Sequence, residues 1–317
     1  MPDINNIYLW ILILFLGLFV LVKAADYFNK AAEKIGLSFG MSPFIIGVLI
    51  TAVGTSLPEL ITSAVAVAQG VSEIVPGNVA GSNITNIFLI IGIVAIVHQK
   101  PIHLFSEFIM VDLQFLIGSA LFISLAFIDN KISSLEGILC LAGFGIYFHY
   151  LITSTKRTRL LRKEPEPGQR STYKDYLQFL FSSILIYIAA HIVINAVVFT
   201  SDYYDVGTSI VAAGVLALGT SIPELVVSLD AVKKGKSDYA LGNIMGSSIF
   251  NSFWVIGFSS LFGVIVVPDV IITLIMPVML IATFLFYMLT RDKVITAWEG
   301  ALFLLFYILF IFKLITV

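Results

Sequence analysis

The residues best suited to chemistry in this 317-residue chain lie in two short segments, GTSLPELITS at 54–63 and GTSIPELVVS at 219–228. Each sets a carboxylate, hydroxyls and a proline inside an apolar run. A helical spacing of four stacks Thr55 with Glu59, and Thr220 with Glu224, on one face. GNVAGSNITN at 77–86 and GNIMGSSIFN at 242–251 repeat that spacing with Ser82 and Asn86, and with Ser247 and Asn251. These positions supply carboxylate, hydroxyl, amide and carbonyl oxygens, without a thiol or an imidazole. Oxygen-only donor sets bind hard cations.

The prolines add further oxygens. Pro58 has no N–H for the carbonyl of Gly54, and Pro223 none for that of Gly219, so each helix is interrupted just before its acid. Hydrocarbon cannot satisfy a freed carbonyl, which must turn to protein, water or an ion. Broken helices of this kind lie against the substrate in transporters. Two bidentate glutamates plus carbonyls near Thr55 and Thr220 reach about six oxygens, the range calcium takes, whereas magnesium keeps its waters. Two carboxylates neutralise one divalent or two monovalent cations, and without a cation both charges are buried at a cost of several kcal/mol. A carrier with such a site changes sides readily only when loaded, which favours obligatory exchange over uniport.

The elements that must position these groups are membrane helices. Hydrophobic residues make up 59% and charged residues 12% of the chain, against about half apolar in soluble domains. Apolar stretches long enough to cross a ~30 Å hydrocarbon core recur throughout. We expect spans at about 7–28, 38–69, 74–97, 104–128, 135–155, 175–200, 207–232, 239–264, 268–290 and 296–316. The start MPDINN lacks a basic region and cleavage site, so the first span is expected to be retained. With one cysteine, Cys140, an internal disulfide is excluded.

Residues 51–92 align with 216–257 without a gap, 165 positions apart, with 21 identities in 42. The chain is an internal duplication. The charged, Pro- and Gly-containing segment 156–174 divides it into repeats at 1–155 and 175–317. Placing that linker on the cytoplasmic side puts 15 of the 18 Lys and Arg residues in inside loops, Lys30 and Lys34 among them. Both termini then face out, and five spans per half make the repeats inverted. The expected fold is an all-α integral membrane protein with ten transmembrane helices in two inverted-topology five-helix repeats. Glu59 and Glu224 become one paired intramembrane site.

Other polar residues have blander readings. Gly77, Gly81, Gly242 and Gly246 form small-xxx-small patterns that serve close helix packing. Ser82, Asn86, Ser247 and Asn251 could bond between helices. Asp112 has no counterpart, since position 277 is Pro, and reads as a solvated or paired group. Asp230 is spaced to pair with Lys233 or Lys234, and His191 to bond a neighbouring helix. Asn83 begins an NIT glycosylation pattern but lies inside a span. A channel would set its acids in a ring around a symmetric pore. An intramembrane hydrolase would need a nucleophile and base, or a metal-binding set, which His98, His103, His149 and His191 do not form. The net charge of −2 says little about partners; no nucleic acid is expected, nothing calls for a cofactor, an enzymatic activity or an obligatory protein partner, and the expected surroundings are the lipid bilayer.

GTSLPE with GNVAGSNITN, and GTSIPE with GNIMGSSIFN, resemble the two alpha-repeats of the sodium/calcium exchanger family, within the cation/calcium antiporter superfamily. The resemblance covers the whole chain and is to the microbial type, without the regulatory insert of animal exchangers. It implies calcium binding by Glu59 and Glu224 with the Thr55 and Thr220 carbonyls. It implies sodium sites that draw on Ala52, Ser56, Ser82, Asn86, Ala217, Ser221, Ser247 and Asn251 as well. GTS-x-PE rather than the GNA-x-E form of proton-coupled relatives implies sodium as counter-ion, with three sodium ions inward against one calcium outward across the cell membrane. Position 251 is Asp in several microbial relatives and in the potassium-dependent branch, whereas Asn at both 86 and 251 resembles the potassium-independent animal exchangers and implies potassium independence. The residues alone leave a proton/calcium, or other divalent cation, exchanger as the alternative.

Overall fold

The structure, a computed structural model, describes residues 7–38, 53–98, 102–103, 108–159, 171–235, 237–290 and 294–316. The chain runs through α1 (Ile7–Ser38), α2 (Leu57–Ala68), α3 (Ile74–His98), α4 (Phe108–Ala126), α5 (Ser134–Arg159) and α6 (Tyr173–Tyr204). It continues through α7 (Thr208–Lys233), α8 (Ser237–Phe250, carried on by Asn251–Val255 and Ile256–Ser259), α9 (Ile271–Thr290) and α10 (Ala297–Ile315). Among the described residues, seven helices are long and apolar enough to cross a membrane, and α2 and residues 111–126 of α4 are shorter apolar helices. Exposed side chains such as Phe15, Phe19, Leu125, Leu305 and Phe312 are apolar, while Thr62, Asn78, Ser228 and Asn243 are buried. This is the inside-out distribution of a multi-pass membrane protein, whose polar groups must be satisfied within the protein.

α1 and α6 pack antiparallel along their length. Trp10 stacks on Phe199 at 4.7 Å, Gly17 lies against Val193, and Phe28 meets Phe179 at 4.5 Å. At the far end Gln178 donates to the Tyr27 carbonyl at 2.8 Å and Lys34 pairs with Asp175 at 3.0 Å. Two small antiparallel clasps hold other connections together. Ile102–His103 pairs with Val294–Ile295, and Lys131–Ile132 with Ile265–Val266, so each clasp joins a connection of the first half to one of the second. Asn130, at a left-handed φ of 62°, tightens the second clasp by donating to the Val267 carbonyl at 3.1 Å.

Several boundaries differ from those expected. α1 continues ten residues past position 28, to Ser38, so Lys30 and Lys34 stand on a helix rather than in a loop. Lys30 pairs with Asp26 one turn back at 2.7 Å and Lys34 with Asp175, and these polar contacts let the helix continue where hydropathy ends. α5 extends to Arg159, and α6 begins at Tyr173 with a capping box between Thr172 and Asp175. The ends of segment 156–174 are therefore helical, and residues 160–170 lie outside the described part.

Candidate cation-binding site

The two acidic segments break as the prolines dictate. The turns fall at Ser56 (φ −89°, ψ 13°) and Ser221 (φ −83°, ψ 4°), and in each case Pro is the second residue of the restarted helix. Proline costs no helical bond there, because the first turn has no intrahelical acceptor for its N–H. The Gly54 carbonyl, which Pro58 cannot serve, instead accepts from Asn29 Nδ2 of α1 at 2.7 Å.

Each break reaches across to the other segment. Ser56 Oγ donates to Glu224 Oε1 at 3.0 Å, and its counterpart Ser221 Oγ donates to Glu59 Oε1 at 3.4 Å. Thr55 Oγ1 donates to Asn243 Oδ1 and Thr220 Oγ1 to Asn78 Oδ1, both at 3.5 Å. Asn78 Nδ2 donates to Ser63 at 3.2 Å and to the Glu59 carbonyl at 3.5 Å; Asn243 Nδ2 does so to Ser228 at 3.2 Å and to the Glu224 carbonyl at 3.4 Å. Thr55 also meets Ser247 Oγ at 3.1 Å. The duplication seen in sequence is thus a set of reciprocal contacts in space.

Of the expected ligand residues, Thr55, Ser56, Glu59, Thr220, Ser221, Glu224 and Ser247 meet at this crossing through the bonds above; Ser82, Asn86, Ala217 and Asn251 are buried on the same or the following helices, and Ala52 lies outside the described residues. Thr55 is nearly buried; Ser56, Glu59, Ser82, Asn86, Ala217, Thr220, Ser221, Glu224, Ser247 and Asn251 are fully or almost fully so. The Ala217 carbonyl accepts from the Ser221 N–H at 3.1 Å and the Thr220 hydroxyl at 3.3 Å. Oε2 of Glu59 and of Glu224, Oδ1 of Asn86 and of Asn251, and Oγ of Ser82 are buried with no hydrogen-bond partner among the described residues. The described ion pairs, Lys30–Asp26, Lys34–Asp175 and Lys234–Asp230, involve neither glutamate. Buried oxygens without donors are costly, and acceptors in this number around two carboxylates suit a hard cation.

Asn86 and Asn251 do not sit on regular α-helix. They lie at the starts of π-helical turns, Thr85–Ile90 and Asn251–Val255, and the residues just before them, Ile84, Thr85 and Phe250, keep α-helical dihedrals. π-turns free backbone groups and often mark functional positions. Asn86 Nδ2 donates to Ser248 at 3.2 Å, whereas neither side-chain atom of Asn251 has a partner among the described residues.

Asn78, Asn243 and Asn29, the three amides of this network other than Asn86 and Asn251, are not singled out by the sequence, nor are the serines they and Asn86 meet, Ser63, Ser228 and Ser248. The first two carried a signal, as identical polar residues at matched repeat positions; Asn29 has Ile194 as its counterpart and carried none. Among the remaining polar residues, Asp112 bonds Tyr147, Asp230 pairs with Lys234 at 2.6 Å, and His191 is exposed with its ring beside Tyr187. Asn83 is buried and donates to Ser252 at 2.9 Å. Gly77 and Gly81 do lie against backbone, since a Cβ would fall 2.3 Å from the Ser209 carbonyl oxygen and 2.4 Å from that of Ala213. Gly242 departs from the packing expectation, with open space around its would-be Cβ.

Comparison with known proteins identifies the relatives of this chain. A family model described as sodium/calcium exchanger protein matches residues 9–153 and 174–316. The sodium/calcium exchanger MaX1 of Methanosarcina acetivorans is 31% identical over 340 residues, covering 95% of this chain and 97% of that relative. An uncharacterized membrane protein of Methanocaldococcus jannaschii is 31% identical over 302 residues, covering 94% of this chain and 96% of its own length. A solved structure of the sodium-calcium exchanger NCX_Mj, soaked with Na+ and Sr2+, superposes with a TM-score of 0.64 at 30% identity, covering 96% of this chain and 98% of that one.

Proposed function

The chain belongs to the sodium/calcium exchanger protein family, and from that premise we propose that it is a secondary antiporter in which Glu59 and Glu224 bind calcium and sodium in turn. The observation that carries this reading is the reciprocal pair Ser56–Glu224 and Ser221–Glu59, which brings two buried carboxylates to one place with an oxygen of each left without a donor. Calcium draws on both carboxylates and the Thr55 and Thr220 carbonyls. Sodium draws on the same groups with Ala52, Ser56, Ser82, Asn86, Ala217, Ser221, Ser247 and Asn251. Sharing the acids makes the two ions compete, and exchange follows because the unloaded site buries two charges.

We assign the alternation to two inverted five-helix repeats, 1–155 and 175–317, that make up ten spans and open the site to each face in turn, with both termini outside the cell membrane. The exchange is three sodium ions inward for one calcium outward. It is independent of potassium, because Asn rather than a further carboxylate stands at both 86 and 251.

The test is calcium-45 uptake into sodium-loaded proteoliposomes diluted into sodium-free medium. Uptake should require internal sodium, persist without potassium and vanish in Glu59→Gln and Glu224→Gln. Uptake driven by a pH gradient instead would make the counter-ion a proton, and uptake indifferent to both gradients would overturn antiport.

A further inference from the structure

We propose that Asn29 is a positioning residue of the cation site that ties α1 to the helix break at Gly54–Ser56 in one transport state and releases it in the other; the inference rests on the alternating exchange proposed above. Pro58 has no amide hydrogen, so the Gly54 carbonyl has no donor from its own helix. Asn29 Nδ2 supplies one at 2.7 Å, shorter than the bonds that join the two halves of the site at 3.0 to 3.5 Å. Gly54 is part of the fit, since a Cβ there would lie 2.6 to 2.7 Å from the Asn29 amide atoms. The Gly54 carbonyl shares its peptide plane with the N–H of Thr55, and Thr55 and Ser56 are the residues that reach Ser247 and Glu224. Fixing that plane fixes the start of the cross-repeat contacts.

The second repeat is built differently. The position matching Asn29 is Ile194, buried and apolar, and Gly219 faces Leu18 of α1, whose Cδ1 lies 2.6 Å from a Cβ placed there. α1 therefore crosses both breaks, with an amide on one and a methyl group on the other. In an inverted repeat, the opposite state follows from exchanging equivalent residues. The 165-residue offset turns Asn29 against Gly54 into Ile194 against Gly219, and Leu18 against Gly219 into Ser183 against Gly54. Asn29 leaves the Gly54 carbonyl in that arrangement, so its bond favours the state described here over its opposite.

The test uses the full chain in proteoliposomes of known orientation, with apparent calcium affinity measured from each face for the wild type, Asn29→Leu, Asn29→Ala and Asn29→Gln. A bond made in one state alone sets the ratio of the two affinities. Asn29→Leu and Asn29→Ala should therefore shift that ratio by about two- to tenfold, and Asn29→Gln, which keeps an amide donor on a longer arm, by less. Equal weakening on both faces, an unchanged ratio, or loss of folded monodisperse protein in all three variants would overturn the proposal and leave Asn29 a packing residue. Absence of sodium-driven calcium flux in the wild type is a separate outcome, one that overturns the exchange reading.

Discussion

The Ser56 hydroxyl donates to Glu224 Oε1 at 3.0 Å, so the break in one repeat holds the carboxylate of the other. The reciprocal bond from Ser221 to Glu59 is longer, at 3.4 Å. A hydrogen bond to a charged group contributes about 1.5–3 kcal/mol, and the contribution falls with length and misalignment. Ser56→Ala should weaken apparent calcium affinity by about tenfold, and Ser221→Ala by less. Calcium dependence of flux in the two variants checks the order; equal effects would mean that the two halves of the site are equivalent under load.

Asn78 and Asn243 act as struts behind the acids. Each joins its own segment's backbone and hydroxyls through Nδ2 and the opposite segment's threonine through Oδ1. Asn78→Leu or Asn243→Leu leaves several buried groups unpaired, at about 1–3 kcal/mol per group. Both variants should unfold at a lower temperature in detergent than the wild type, and calcium or sodium should protect them less. A melting profile equal to that of the wild type would remove the struts from the account.

Glycine packing separates two positions that look alike in sequence. A methyl group at Gly81 would sit 2.4 Å from the Ala213 carbonyl oxygen, which is backbone and cannot rotate away, whereas Gly242 has nothing within 4 Å. Gly81→Ala should cost about 1–3 kcal/mol by overpacking. Gly242→Ala should be neutral, or gain up to about 1 kcal/mol from helix propensity. Thermal midpoints of the two variants, measured side by side, test the contrast.

Much of this site was legible in the sequence because duplication, proline and buried acid are signals that survive without coordinates. The matched segments located Glu59 and Glu224, and the missing N–H of Pro58 and Pro223 located the breaks to within two residues. The π-turns at Thr85–Ile90 and Asn251–Val255 were hidden, because one extra residue in a turn leaves an apolar helix pattern almost unchanged. The two-residue clasps are too short to have a period. Asn29 was invisible for a different reason: the partner of a freed carbonyl can come from any neighbouring helix, and the repeat offers Ile194 in its place.

Asn251 offers the sharpest test of how charge governs exchange. Its two side-chain polar atoms are buried without partners among the described residues, whereas Asn86 donates to Ser248 at 3.2 Å. Asn251→Asp is nearly isosteric and adds a third carboxylate to the site. Three bound sodium ions outweigh the two carboxylates by one positive charge, which the added carboxylate offsets, so sodium affinity should rise several-fold. With one calcium bound, two carboxylates are already neutralised and the third stays buried at a cost of several kcal/mol. Calcium–calcium exchange in Asn251→Asp should therefore slow relative to sodium–sodium exchange, by about tenfold or more if even 1.4 kcal/mol of that cost falls on the switching step. Isotope exchange with calcium-45 on both sides and with sodium-22 on both sides, compared with the wild type, measures the two steps separately. If both slow alike, the effect lies in packing rather than charge, and the charge balance of the loaded site does not set the switching rate.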